Sequence, residues 1–165
     1  MEFQRASRNG VRQDSNKFAV DFNGERLKEW HPEDYNIHTE KIELTSRVGK
    51  NSIHFIGTGI SDGLGQGIDN VKLYRNKNSF CGYEDVIVNG GFQEGHNLGH
   101  GWSIFANGKI PGWTTPDNQL EVGYGRIYNP RWPADAHITE LDANHNTDVS
   151  QTFELDEWQR IEGRD

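Results

Sequence analysis

The sequence predicts an all-β fold, an antiparallel two-sheet β-sandwich of jelly-roll type. Apolar and polar residues alternate over many short segments, and Gly, Pro, Asn or Asp bounds each segment. No convincing amphipathic helix lies between these segments, which favours a sandwich over a mixed fold. The 165 residues include 19 Gly and one Met, a composition rich in turn formers and poor in helix formers.

The first half of the chain has the clearest alternation. Residues 17–24 (KFAVDFNG) predict a strand that ends in Asn23-Gly24, a typical hairpin turn. Residues 25–30 (ERLKEW) are the expected partner strand, although they also begin the best helix candidate, which Pro32 limits. Further strands are predicted within 37–59, where a turn at 48–51 separates two alternating stretches, and at 67–75.

The second half predicts six more strands of similar length. Each is short and each is bounded by turn-forming residues. They are expected at residues 84–89, 101–105, 111–115, 119–125, 137–142 and 148–155.

Charge and cysteine content exclude several classes of function. The net charge of -8 argues against a nucleic-acid groove, which needs a concentrated positive surface. No apolar run approaches the roughly 20 residues that a membrane-spanning helix requires. Cys81 is the only cysteine, so neither an internal disulfide nor a thiolate metal cluster can form, and we interpret it as a small hydrophobe. The sequence contains neither a nucleophile elbow nor a phosphate-binding glycine loop, and a non-enzymatic protein is expected.

An ordered set of motifs runs through the chain in an unusual sequence. The segments VNGGFQEG (88–95), GW (101–102), IPGWTT (110–115), LEVG (120–123), ITELD (138–142) and DVSQTF (148–153) follow SRNG (7–10), QDSNKFAVDFNG (13–24), HFIGTGISDGLG (54–65) and GIDNVKLY (67–74). Together they resemble the galactose-binding-like jelly-roll modules of secreted bacterial and plant cell-wall proteins, which are related to carbohydrate-binding modules. In that family the second group of motifs follows the first.

The resemblance therefore implies one module, 1–165, in which a C-terminal half (1–75) precedes an N-terminal half (84–160). Two arrangements fit this order: a circular permutation, or a slice across two tandem modules. A third outcome is exchange of halves between chains, which gives a homo-oligomer or an array of neighbouring repeats. The resemblance also implies a secreted or cell-surface location and a polysaccharide or other glycan as partner.

A structural calcium ion is a further implication of the resemblance. Such modules commonly hold Ca²⁺ between the opening and closing strands, with a carboxylate after the NGGF motif and an Asp in the closing motif. Here Gln93 and Glu94 follow Phe92, and Asp69 fits the closing motif. Gln93 lowers the charge of the site, so two interpretations stay open: a calcium site, or a turn capped by Asp69 beside a solvated Glu94.

Aromatic and polar side chains suggest where a glycan would bind. Phe92, Trp102 and Trp113 belong to the family-like motifs and are expected in the core. Residues 123–133 (GYGRIYNPRWP) combine aromatic rings with two Arg, which suits stacking on sugar rings and hydrogen bonding to their hydroxyls. The alternative is that these aromatics pack into the loop's own small core. The predicted binding residues are Tyr124, Arg126, Tyr128, Arg131, Trp132, Glu121, Asp14 and Asn16.

Carboxylates and histidines could also carry chemistry. Glu121, Glu140 and Asp142 are placed to face each other on neighbouring strands, as glycan acceptors, a hydrolase pair or salt-bridged surface groups. His96 and His100 lie four residues apart in a glycine-rich stretch. We interpret both as polar loop residues, because no third zinc ligand is near and the other histidines are scattered.

Overall fold

A computed structural model describes residues 1–76, 83–99 and 101–155 of this chain. Two antiparallel sheets pack around a common core, so the predicted all-β sandwich is confirmed. Cys81, His100 and the end of the predicted second half (156–160) lie outside the described residues. The strands are β1 (Glu2–Ala6), β2 (Phe18–Phe22), β3 (Glu25–Trp30), β4 (His38–Lys41), β5 (Gly49–Gly57), β6 (Gly67–Lys72), β7 (Tyr74–Asn76), β8 (Tyr83–Asp85), β9 (Trp102–Phe105), β10 (Leu120–Tyr124), β11 (His137–Glu140) and β12 (Asp148–Leu155), with a 3-10 turn (Gln13–Asn16) and a one-turn helix α1 (Gly125–Tyr128).

The two sheets draw strands from both halves of the chain. One sheet has six strands in the order β4-β1-β6-β11-β10-β9, and the other has four in the order β12-β5-β2-β3. The strands β7 and β8 pair with each other as a separate ribbon. The two halves meet where β6 pairs with β11 and where β12 pairs with β5 over its full length. Among the described residues, no helix is long and apolar enough to cross a membrane.

The hairpin between β2 and β3 follows the sequence prediction. Asn23 and Gly24 both adopt positive φ angles, of 52° and 84°, as a two-residue turn of this kind requires. Residues 25–30 form a strand, so the helix candidate in this segment is wrong. Trp30 explains the outcome, because it pairs with Phe18 in the register of the hairpin and its side chain is buried in the core.

Aromatic side chains connect the two sheets through the core. Phe3 from the six-stranded sheet packs edge-on against Trp30 and Phe55 of the other sheet, with ring centroids 5.6 and 5.1 Å apart. Phe55 in turn contacts Trp113, and Trp113 contacts Phe92 at 4.8 Å. Such pairs each contribute about 0.5–1.5 kcal/mol beyond the burial of their area. The expectation that Phe92 and Trp113 are core residues is confirmed.

The segment 88–90, which opens the second half, is held against the end of the first half. The backbone N–H of Val71 donates to the carbonyl of Gly90 at 2.9 Å, and the Trp113 indole N–H donates to the carbonyl of Asn89 at 2.9 Å. The side-chain amide of Gln151 in β12 bonds both the N–H and the carbonyl of Val88. The last strand of one half and the first motif of the other are therefore neighbours, although permutation and tandem slice both remain predictions.

Replacing Gly90 by Ala is expected to destabilise the fold at this junction. The added Cβ would clash with the backbone carbonyl oxygen of Val71. Relieving the clash would move Val71 away from residue 90 and break the hydrogen bond from the Val71 N–H to the carbonyl of residue 90. We expect a loss of about 1–3 kcal/mol in the free energy of unfolding, measured with urea. The control is Gly101→Ala, whose Cβ would make an ordinary 3.9 Å contact with Ile127. Equal stability of the two variants would contradict this account.

Candidate functional site

Three buried carboxyl groups lie together on the six-stranded sheet and at its end. Glu121 in β10 and Glu140 in β11 are directly opposite in the strand register, so the prediction that they face each other is confirmed. Asp142 follows two residues after Glu140, and all three side chains are at most 3% exposed. Buried carboxylates are costly unless charge and hydrogen bonds compensate them, so their partners decide what the group does.

Compensation for Glu140 and Glu121 comes from three neighbours. The Arg8 guanidinium contacts both carboxylate oxygens of Glu140, at 2.9 and 2.7 Å, and the backbone N–H of Gly65 also donates to Glu140. The Tyr128 hydroxyl donates to Glu121 at 3.0 Å. Arg8 also lies over the Tyr128 ring, 5.3 Å from its centroid. These contacts join the first half of the chain to the second through charge-assisted bonds.

The surroundings of Glu121 and Glu140 favour retention of a proton by the pair. The two residues are cross-strand neighbours and both are buried, so two negative charges side by side are unfavourable there. Burial, followed by the charge of Glu121, raises the pKa of Glu140 to about 9, and burial raises the pKa of Glu121 as well. Catalytic pairs in retaining glycosidases stand about 5 Å apart around a substrate. This pair is buried and bonded to Arg8, Gly65 and Tyr128, so its surroundings suit a structural role.

Asp142 organises the glycine-rich loop 61–65. Its carboxylate accepts hydrogen bonds from the backbone N–H groups of Asp62 and Gly63, at 2.8 and 2.9 Å, and from the Ser61 hydroxyl at 3.3 Å. Consecutive N–H groups that point at one anion form a backbone nest. Sequence reasoning missed this role, although the SDG turn in a polar loop was the available signal.

The predicted sugar-stacking rings Tyr128 and Trp132 are buried. With Ala6, Ala136 and Ile138 they form a second apolar cluster on the outer face of the six-stranded sheet. The amide of Asn129 secures this segment by donating to the carbonyls of Ser7 and Tyr35, at 2.9 and 2.7 Å. The two rings therefore present no open face to a ligand, and they pack onto Ala6 of β1 and Ile138 of β11 instead of forming a core within the loop alone.

The remaining predicted binding residues are divided between interior and surface. Glu121 and Asn16 are buried, and the side-chain oxygen of Asn16 accepts a bond from the Arg8 backbone N–H at 2.8 Å. Asp14 is exposed and ion-paired with Lys17 at 2.8 Å. The last three are Tyr124, which is half-buried, and Arg126 and Arg131, which are exposed.

Trp102 is the most exposed aromatic residue in the described part of the chain, ahead of Tyr74. Its predicted place in the core is wrong, because its side chain is 51% exposed on β9, the edge strand of the six-stranded sheet. Gly123 lies opposite it, and a Cβ there would lie 2.6 Å from the Trp102 Cβ and also against the Tyr128 hydroxyl. We name Trp102, the half-buried Ile104 and the exposed Ile127 the Trp102 surface; it adjoins the buried carboxyl pair through Tyr128.

The predicted calcium residues are partly brought together. Asp69 is buried, accepts one bond from the Asn70 backbone N–H at 2.6 Å, and has its pKa raised to about 7 by burial. One oxygen of Asp69 and the Gln93 side chain flank Gly91, at 3.9 and 4.0 Å from the position a Cβ there would take. Glu94 is exposed. The donors are the hard oxygens that Ca²⁺ prefers, with a single buried carboxylate to balance its charge.

Within 1–76, 83–99 and 101–155, no group of three or more His, Cys, Asp or Glu side chains has an arrangement that holds a metal ion. No protein-family model matches this chain, and no match was found among curated proteins or solved structures. The contacts between the described residues are therefore the basis for assigning a function.

Stability is expected to fall as pH rises from about 5 to about 9. The raised pKa of Glu140 means that the folded state holds a proton that the unfolded chain releases above the ordinary value of 4.5, and this stabilisation is lost as pH approaches 9. Glu121→Gln keeps a neutral hydrogen-bonding group but removes the shared proton, and should flatten the pH dependence by at least ~1 kcal/mol. Urea unfolding at several pH values measures the slope. Glu154→Gln, at an exposed position on β12, is the control, and an unchanged slope in Glu121→Gln would contradict the shared proton.

Proposed function

We propose that this chain is a non-catalytic carbohydrate-binding or adhesive module of galactose-binding-like type, within a larger secreted or cell-surface protein. Two features support the proposal: the ordered motifs that resemble this family, and a β-sandwich compatible with a jelly roll. The observation that carries it is the exposed indole of Trp102 on the outer face of the six-stranded sheet.

The Trp102 surface has the chemistry of a sugar platform. A flat indole stacks on the apolar face of a pyranose ring, and hydrogen-bonding groups around it select the hydroxyls. Arg126 directly precedes Ile127 in the chain and is exposed, whereas Tyr128, which follows Ile127, is buried. The Tyr128 hydroxyl, which donates to Glu121, and the Cβ of Trp102 both lie close to Gly123. Because Gly123 has no side chain, Tyr128 can pack directly beneath Trp102 and support this surface.

A second candidate function is self-association as a structural spacer. Trp102 sits on β9, whose outer edge carries no further strand among the described residues. Open strand edges with an apolar side chain favour pairing with another chain. In this function Trp102 would contact another protein chain instead of a glycan. The partner would be a neighbouring repeat or a second copy of this chain. A glycosidase receives less support, because Glu121 and Glu140 are buried and bonded to Tyr128 and Arg8.

Trp102→Ala is expected to weaken retention on a polysaccharide that binds the wild-type module. The loss follows from removal of the stacking face and should be at least ~1 kcal/mol, about a fivefold change in affinity. A glycan array followed by affinity gels with plant, algal and host polysaccharides measures it, with Ca²⁺ present. Val48→Ala removes an exposed apolar side chain elsewhere and is the control.

Retention that Trp102→Ala leaves intact would contradict the platform, and no retention on any glycan would contradict carbohydrate binding. Concentration-dependent oligomers in light scattering, lost in Trp102→Ala, would favour the spacer instead.

We also propose a structural Ca²⁺ held by Asp69, Gln93 and Glu94 between β6 and the segment after β8. The buried carboxyl of Asp69 has one hydrogen bond in the structure and would gain a compensating charge from the ion. Backbone carbonyls and the Gln93 amide supply further oxygen ligands of the type that Ca²⁺ accepts.

Calcium should therefore raise the melting temperature of the wild-type protein. An ion at a hundred times its dissociation constant stabilises the folded state by about 2.7 kcal/mol. Asp69→Asn should remove this shift, whereas Asp135→Asn, at an exposed position, should retain it. Calorimetry with and without a chelator measures the effect, and an equal shift in both variants would contradict the site.

A further inference from the structure

His96 and His137 form a pair that the sequence does not suggest. His96 lies in the loop after Phe92, and His137 begins β11. Their ring centroids are 5.1 Å apart with the planes tilted by 55°. Phe105 contacts His96 and Tyr124 contacts His137, each with ring centroids at 5.1 Å, so the two imidazoles sit between aromatic walls.

One nitrogen of the His96 ring is committed to the backbone. The Nδ1 of His96 lies 2.9 Å from the carbonyl oxygen of Glu94, which can only accept, so Nδ1 carries the hydrogen. A backbone carbonyl that fixes the tautomer in this way is a usual outer partner of a metal-binding histidine.

One nitrogen of each ring is left without a partner. The Nε2 of His96 and the Nδ1 of His137 are buried atoms that make no hydrogen bond in the described part of the chain. In neutral rings both can carry a free lone pair. Burial and the neighbouring His96 lower the pKa of His137, which keeps that ring neutral near pH 7. A buried acceptor with no donor is unfavourable, and coordination to an ion would relieve both at once.

The spacing of the rings fits a shared ion. Two imidazoles bound to one tetrahedral ion, with nitrogens at about 2.0–2.1 Å, have ring centroids about 5 Å apart. The observed separation agrees with this value. His96 is half-buried and lies in a loop, whereas His137 begins a strand.

We propose that His96 and His137 form a two-histidine binding site for a divalent transition-metal ion such as Zn²⁺. Imidazole nitrogen is a ligand that these ions prefer and that Ca²⁺ does not. The site is therefore chemically distinct from the proposed calcium site, although both use the segment that follows Phe92. Two protein ligands leave further coordination positions for water or for a donor atom of a bound ligand.

Titration of the full chain with ZnCl₂, in the presence of excess Ca²⁺, tests the proposal. Long-range ¹H–¹⁵N NMR correlations resolve the ring nitrogens of each histidine. We expect His96 Nε2 and His137 Nδ1 to shift together and to saturate at a single equivalent. Excess Ca²⁺ occupies oxygen sites, so a result here does not depend on whether the calcium or glycan proposals hold.

Variants identify the ligands. His96→Gln and His137→Gln should each lower the Zn²⁺ affinity about tenfold or more, as loss of one of two ligands requires. His31→Gln, at an exposed position, is the matched control and should bind Zn²⁺ like the wild type. If His137→Gln does not fold, His96→Gln and the wild-type ring shifts decide the question, because His96 lies on a half-buried loop position.

Three outcomes would overturn the site: no Zn²⁺ binding, shifts at only one of the two rings, or an affinity that His96→Gln leaves unchanged. The last would place the ion on other side chains.

Discussion

The arrangement of this module depends on carboxylates that are buried and compensated on every side. Glu140 binds Arg8 and Gly65, and Asp142 binds the backbone of the loop 61–65. Arg8 and that loop belong to the first half of the chain, whereas both carboxylates belong to the second. Because an uncompensated buried carboxylate costs several kcal/mol, the two halves cannot separate without losing this compensation. The network thus joins the chain's two halves by charge, as the aromatic core joins them by packing.

This network also decides which aromatic rings reach the surface. Tyr128 must lie inward for its hydroxyl to bond Glu121, and Trp132 follows it into the cluster around Ile138. Trp102 lies on the edge strand β9 of the same sheet, and half of its surface is exposed among the described residues. A residue in a family-like core motif thereby becomes the best candidate for ligand contact, while two residues of an apparently exposed loop become structural.

The segment after Phe92 contributes residues to both proposed ion sites. Gln93 and Asp69 of β6 both lie near Gly91, and the backbone carbonyl of Glu94 accepts a hydrogen bond from His96. Phe92 itself adopts a positive φ of 53° while its side chain is fully buried against Trp113. This backbone conformation is uncommon for an aromatic residue, and the close packing of the ring fixes it. One constrained segment therefore carries both the oxygen donors of Gln93 and Glu94 and the imidazole of His96. The proposed calcium site pairs the oxygen donors with Asp69, and the proposed zinc site pairs His96 with His137.

The sequence by itself determined most of the strands, the Asn23-Gly24 hairpin and the meeting of Glu121 with Glu140. Each of these follows from local alternation, turn chemistry or the register of adjacent strands, which are properties of short segments. The strand predicted at 111–115 is wrong, because only an isolated bridge at Thr114 forms there. For residues 25–30 the sequence left strand and helix open, and cross-strand pairing decided for the strand.

Only the tertiary structure decided that Trp102 is exposed, that Tyr128 and Trp132 are buried, and that His96 meets His137. Whether a side chain is covered depends on which distant segment folds over it, and no local pattern contains that information.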